Sequence, residues 1–403
     1  MTSFDSSPSL TAWRTLLALA VVFVMLATTG WTALQQHGEN GTARARALSA
    51  WDKGRIGALD LPDPGSSPQR LAAFFASLTA AQRVALADRY PLVVGNLNGA
   101  PLTLRYRANR LAVIQARDVE RERTHDSRLS FDGRQQAALR MHRFESMANS
   151  DRHILAFDPT GNGRAAEVFG DLGTAQRVSV VVPGSDTNLL TFERTDRSFS
   201  APVGMARSLY DAEREASPGT RTAVIAWADY TAPDGFGVDA AIGKLASDGA
   251  VRLNALTAAL PGDSRVSLFC HSYGSVVCGI AARRLPARVT DVAVAGSPGM
   301  RVDSAGQLGT GVRVWAMRDQ DDWIQDVPHL EVVGFGHGAD PVTPDFGARV
   351  LSARGAVGHS GYFEPGTDSL RNFADIGVGS YRDTVCADDG DACRSGISGA
   401  EVI

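Results

Sequence analysis

Five short, mostly apolar runs, Val178 to Val182, Thr222 to Trp227, Val266 to Phe269, Val289 to Ala295 and Val312 to Met317, alternate with stretches of helical character near 201–215, 238–260 and 275–284. A strand that stays apolar at successive positions has both faces covered. Such strands alternating with helices specify an α/β architecture, a mostly parallel sheet with helices on both faces. His153 to Phe157 and Ala165 to Phe169 flank the breaker run Asp158-Pro159-Thr160-Gly161-Asn162-Gly163 and read as a strand pair closed by a turn. A further helix is expected near 368–376.

What precedes residue 151 has a different rhythm. Leu71, Phe74, Phe75 and Leu78 share one helical face, a second helix is expected over Ala80 to Tyr90, and Gly95 to Pro101 breaks the pattern before a long charged helical stretch. Residues 66–150 therefore read as a helical region, 151–385 as an α/β domain, 35–65 as a linker rich in Gly, Ala, Arg and Pro, and 386–403 as a polar tail.

Ahead of the linker, Thr15 to Leu34 carries no charge. Twenty helical residues span about 30 Å, the thickness of a hydrocarbon core. No clean A-x-A site follows, so residues 1–34 read as an uncleaved membrane anchor, with a signal peptide or a buried helix as alternatives. Arg44, Arg46, Lys53 and Arg55 beyond it favour a cytoplasmic C-terminal side. Cys386 and Cys393 argue the other way: flanking a loop too polar to bury them, an exposed close pair serves best as a disulfide in an oxidising compartment. Export weighs more, giving an anchored domain outside the cytoplasm or a secreted one. The net charge of −4 offers no footprint for nucleic acid, and no His, Cys or carboxylate cluster has metal-ligand spacing, so neither metal nor organic cofactor is expected.

Between the run ending at Phe269 and the helix-like run from Ser275 lies Cys270-His271-Ser272-Tyr273-Gly274. A strand, a sharp turn carrying a serine and a helix with small flanking residues form a nucleophile elbow. The partners of such a serine follow in the order acid, then histidine. Of the late histidines, His359 precedes the final helix where a base belongs, while His329 and His337 read as structural. The strand 312–317 ends in Asp319, Asp321 and Asp322; Asp322 leads into the anchoring pair Trp323-Ile324 and is favoured as the acid, with the other two as alternatives. Oxyanion donors would be the amide of Tyr273 and that of Gly184 or Ser185 in the turn after Val182. Cys270 and Cys278 are either two small buried hydrophobes or a disulfide from strand end to helix. Trp315, Met317, Trp323 and Phe236 are candidates for an apolar acyl pocket or for core packing.

A wider set of short motifs accompanies these residues: Val94 to Pro101 with Arg107-Ala108-Asn109, Phe157-Asp158-Pro159, Gly170-Asp171-Leu172, Val182-Pro183-Gly184, His271 to Gly274, Gly296 to Gly299, His337 to Pro341 and His359 to Phe363. In this order, over about residues 60 to 380, the chain resembles the bacterial α/β-hydrolases long catalogued only as a domain of unknown function with a helical N-terminal part. The resemblance implies an α/β-hydrolase fold, Ser272 as nucleophile and His359 as base, and a structural role for the His337 loop. Cys270 departs from the glycine common at that place. The expectation is a serine hydrolase acting on a small-molecule or lipid ester, the rivals being a peptidase, amidase or acyltransferase with the same triad, or a non-catalytic surface module. The oligomeric state stays open.

Overall fold

The computed structural model describes residues 42–397 apart from Phe236, Thr310, Val333 and Asp389. The chain divides into two units, Met1–Arg46 and Ala47–Ile403. No helix among the described residues is long and apolar enough to cross a membrane, and the segment expected to do so, Thr15 to Leu34, lies outside them.

The second unit is built on one eight-stranded sheet. Its strands are β1 (His153–Asp158), β2 (Arg164–Gly170), β3 (Arg177–Val182), β4 (Thr222–Ala228), β5 (Arg265–His271), β6 (Val289–Ala295), β7 (Arg313–Met317) and β8 (Arg349–Val350), in the spatial order β8-β7-β6-β5-β3-β4-β2-β1. Pairing is parallel from β8 through β4 and antiparallel where β2 joins β4 and β1. The central strands are mostly apolar because side chains alternate between two separate cores, with Ser179, Ser267 and Asp291 as buried polar exceptions. Val181, Val224, Ala226 and Phe269 point to one face, with Leu209 and Phe373 of helices α6 (Pro202–Ala216) and α9 (Asp368–Val378). Val180, Ile225, Trp227 and Leu268 point to the other, with Leu253 and Val277 of α7 (Lys244–Ala259) and α8 (Gly274–Ala282).

The N-terminal layer comprises α1 (Ala43–Asp52), α2 (Pro68–Ser77), α3 (Ala80–Arg89), α4 (Leu102–Thr124) and α5 (Phe131–Met147). The breaker motif between α3 and α4 does more than separate helices. Asn96 takes the amide of Phe157 at 3.1 Å and donates to its carbonyl at 2.8 Å; Asn109 donates to Ile154 O at 3.0 Å and Arg105 to Leu155 O at 2.8 Å. These side chains satisfy the free edge of β1, which would otherwise present unpaired backbone to another strand. Gly95 is obligatory beneath them, since a Cβ there would lie 2.0 Å from Asn109 Oδ1.

Two expectations need correction. The segment 35–65, where described, is not a free linker: α1 begins within it, and Trp51 is fully buried, edge-on to Tyr90 and donating through its indole N–H to Pro62 O. The tail does bury its cysteines. Cys386 and Cys393 are each 2% exposed, bridged to one another and packed beside Leu351, while Arg349 holds Cys393 O at 2.8 Å. Asp388 and Asp391 face outward while the disulfide itself supplies the apolar surface.

Candidate active site

Ser272 sits at the turn between β5 and α8 with φ of +52°, in the left-handed region that costs a non-glycine residue about 1–2 kcal/mol. Neighbouring backbone enforces this. Ser272 N–H donates to Ala295 O at 3.0 Å, Ser275 N–H donates to Ser272 O at 2.9 Å, and Ser275 Oγ donates to Cys270 O at 3.2 Å. Two glycines allow the approach: a Cβ at Gly274 would lie 2.3 Å from Val182 O, and one at Gly184 would lie 2.6 Å from Ser272 Cβ. Cys270 is bonded to Cys278, with Cα atoms 6.5 Å apart, so strand end and helix are joined across Ser272.

The structure brings Ser272, His359 and Asp322 together. His359 Nε2 lies 2.8 Å from Ser272 Oγ, and His359 Nδ1 lies 2.8 Å from Asp322 Oδ1. An ionised carboxylate only accepts, so Nδ1 carries the proton and Nε2 presents its lone pair to the serine hydroxyl. Asp322 is fully buried; burial pushes its pKa up, but hydrogen bonds and charge from His359, the Tyr362 hydroxyl and the Ile324 amide outweigh this and hold it below its ordinary 3.8. Oδ2 is taken by Tyr362, whose hydroxyl donates at 2.5 Å and accepts Asp319 N–H at 2.9 Å. Gly296, at φ +54°, makes room, because a Cβ would lie 2.7 Å from Asp322 Oδ2 and 3.1 Å from His359 Nδ1.

The alternatives fall to other tasks. Asp319 accepts the Gly358 amide at 2.9 Å and ties the acid loop to the histidine loop, while Asp321 is exposed. His337 hydrogen-bonds through its backbone to Arg301 and packs edge-on against Tyr273; His329 reaches Ser297 O at 3.2 Å. His271 has more to do than its place inside the elbow suggested. Burial drives its pKa down to about 3, so the ring is neutral, and its Nε2–H donates to His359 O at 2.6 Å. It fixes the backbone of His359 from behind.

Gly184 and Ser185 line, together with Ser272, a cavity of about 170 Å³. Tyr230 steadies their loop, donating to Pro183 O at 2.6 Å, and no backbone hydrogen bond among the described residues consumes the amides of Gly184, Ser185 or Tyr273. Trp323 lines the cavity with its ring centroid 4.5 Å from that of His359. Trp315 and Met317 do not: they are buried in the core under the sheet, and Phe236 lies outside the described residues. Sequence reasoning missed Tyr362, Gly296 and the anchoring role of His271; only their membership of the short motifs marked them.

Comparison with known proteins points the same way. A family model described as alpha/beta hydrolase matches residues 158–332. An uncharacterized protein of Mycobacterium tuberculosis is 27% identical over 390 residues, covering 82% of this chain, and the chain spans only 58% of that relative's length. An uncharacterized protein of Mycobacterium bovis is 33% identical over 182 residues, covering 43% of this chain and 67% of its own length. Among solved structures, an α/β serine hydrolase without lid from Xanthomonas campestris is 14% identical with a TM-score of 0.33, covering 58% of this chain and 96% of its own. The 2,6-dihydroxy-pseudo-oxynicotine hydrolase is 14% identical with a TM-score of 0.34, over 87% and 96%. At those scores the structural likenesses add no argument of their own. With an elbow serine, a matching family model and a relative of which it spans two thirds, the chain belongs to the α/β-hydrolase family.

Proposed function

We propose that this chain is a serine hydrolase that cleaves a carboxylic ester through an acyl-enzyme on Ser272. The observation that carries the reading is His359 held at 2.8 Å from both the elbow serine and a buried carboxylate. Ser272 Oγ attacks the ester carbonyl carbon as its proton passes to His359 Nε2. The amides of Tyr273 and of Gly184 or Ser185 receive the oxyanion, each such donor typically worth ~10²–10³ in rate. Collapse breaks the bond to the alcohol oxygen, which leaves with the proton from His359. Water then gives a proton to His359 and attacks the acyl carbon; the carboxylic acid departs and Ser272 recovers its proton. Asp322 keeps the Nδ1–H tautomer and stabilises the imidazolium without taking the proton.

The cysteines support a location outside the cytoplasm. All four are paired, and disulfides persist in oxidising compartments. We therefore place the catalytic unit outside the cytoplasm, delivered by the segment Thr15 to Leu34 as anchor or signal.

A fluorophosphonate probe tests the chemistry. Labelling of Ser272 that is lost in Ser272→Ala, together with turnover of simple 4-nitrophenyl esters, is the expected result. Absence of labelling would leave a non-catalytic module on a hydrolase fold, and equal turnover of matched amides would replace the esterase reading with an amidase.

A further inference from the structure

The cavity in front of Ser272 is polar on the side away from the histidine. Ser185, Thr187, Thr191 and Ser200 line it, and so does Arg194. Arg194 is half-buried and, among the described residues, makes no hydrogen bond and no ion pair. That is unusual company for an arginine in this molecule, where Arg143, Arg152, Arg252 and Arg313 all hold carboxylates. A guanidinium carries five donors in a fixed fork suited to two oxygens of one anion.

The loop places it there by anchoring its neighbours. Leu189 and Phe192 are fully buried, and Phe192 O accepts the amide of Val203 at 3.1 Å. Glu193 turns the other way, held by Arg143 at 2.9 Å and Arg152 at 2.7 Å. With both preceding side chains committed to the protein body, Arg194 is left over the cavity mouth. The nearby carboxylate, Asp186, is engaged by the Gly235 amide at 2.8 Å and makes no ion pair with Arg194. Ser185 and Thr187 contribute hydroxyls that hydrogen-bond to no protein group among the described residues.

We infer that Arg194 is a specificity-determining residue, and that the ester taken by this site carries a carboxylate that the guanidinium binds while Ser272 attacks the ester carbonyl. The inference rests on the ester-hydrolase reading above. A cavity of about 170 Å³, well below the several hundred that hold a drug-sized ligand, suits a short acidic ester better than a long acyl chain.

The test compares, in the full chain, two matched ester pairs at low salt. In one the charge is on the acyl side, 4-nitrophenyl hemisuccinate against 4-nitrophenyl butyrate; in the other it is on the alcohol side, the butyryl ester of glycolic acid against that of glycolamide. A charge-assisted, bidentate contact gives the anionic member an advantage in kcat/KM of about 10- to 100-fold in one of the pairs, and which pair shows it tells where the carboxylate sits. Arg194→Gln collapses that ratio to about one, Arg194→Lys retains part of it, and rising salt erodes it. No anionic preference in either pair, or a preference that survives Arg194→Gln, overturns the inference while leaving the hydrolase intact. Failure to turn over any of the four esters, with Ser272 unlabelled, overturns both.

Discussion

The bond between Cys270 and Cys278 makes a prediction whose size follows from the chain itself. The two residues are 8 apart in sequence and each is no more than 1% exposed. On the chain-entropy account, closing a loop of that length stabilises the fold by about 2.6 kcal/mol, and deleting two buried sulfur atoms removes about 1 kcal/mol more for each, taking a sulfur as equivalent to a methylene. Cys270→Ala with Cys278→Ala therefore costs roughly 4–5 kcal/mol. For a chain of this length, with an unfolding entropy of about 2.1 cal/mol/K per residue, Tm falls by roughly 5 °C. The elbow itself keeps the hydrogen bonds of Ser272 and Ser275 to Ala295 O, Ser272 O and Cys270 O and the glycine contacts around it. Turnover at 25 °C should then fall less than about threefold, far less than the loss of one oxyanion donor. Differential scanning calorimetry beside steady-state kinetics separates the two effects. A Tm change under 1 °C would refute the stabilisation, and a hundredfold loss of kcat at 25 °C would refute the claim that backbone and glycines, rather than the disulfide, hold Ser272.

Other perturbations read other parts of the site. Tyr362→Phe leaves Asp322 Oδ2 without a donor in a place water does not reach; stability falls by about 2 kcal/mol and kcat/KM by about tenfold, measured by chemical denaturation and ester turnover. Gly184→Ala sets a Cβ against Ser272 Cβ and displaces the oxyanion loop, so kcat falls at least ~100-fold while circular dichroism stays native. Glu213 is fully buried against Ser179 beneath the sheet, and burial raises its pKa from 4.5 to about 8. Below pH 4.5 folded and unfolded chains both hold that proton and its stabilisation is complete; as pH rises toward 8 only the unfolded chain releases it, removing roughly 5 kcal/mol. Melting curves from pH 5 to 8 should flatten in Glu213→Gln; an unchanged slope would mean that Glu213 is ionised in the fold.

The strands were legible because a sheet covered on both faces needs apolar residues at most successive positions, as Val178 to Val182 shows with Ser179 as its one polar member. The serine and histidine were legible because one needs a sharp turn and the other a late loop. The acid was not settled by sequence. Asp319, Asp321 and Asp322 are alike in type and spacing, and what separates them is burial, with Ile324 drawing the short turn after Asp322 into the protein and Asp319 diverted to Gly358 N–H. The tail was misjudged for a related reason. Polarity along the sequence was taken for exposure, whereas two cysteines bonded to each other form an apolar body that polar neighbours can surround.

The motif at residues 94–109 shows how a polar signature can belong to the fold rather than to chemistry. Its asparagines and Arg105 bond the carbonyls of Ile154, Leu155 and Phe157, closing the sheet at β1, six strands' pairing away from β7 and the acid loop. Yet the same N-terminal layer also reaches the site, since Arg143 of α5 holds Glu193 and so leaves Arg194 to the cavity. Removing that grip has a separable signature. Arg143→Ala keeps Ser272, His359 and Asp322 in contact with one another, so fluorophosphonate labelling should persist at near the native rate. The anionic advantage in kcat/KM should nonetheless shrink, because Arg152 alone still pairs with Glu193 while the loop carbonyls of Leu190 and Glu193 lose their donor, which lets the loop carry the guanidinium away. If labelling fell while the charge preference held, the helical layer would be supporting the nucleophile and not the specificity loop.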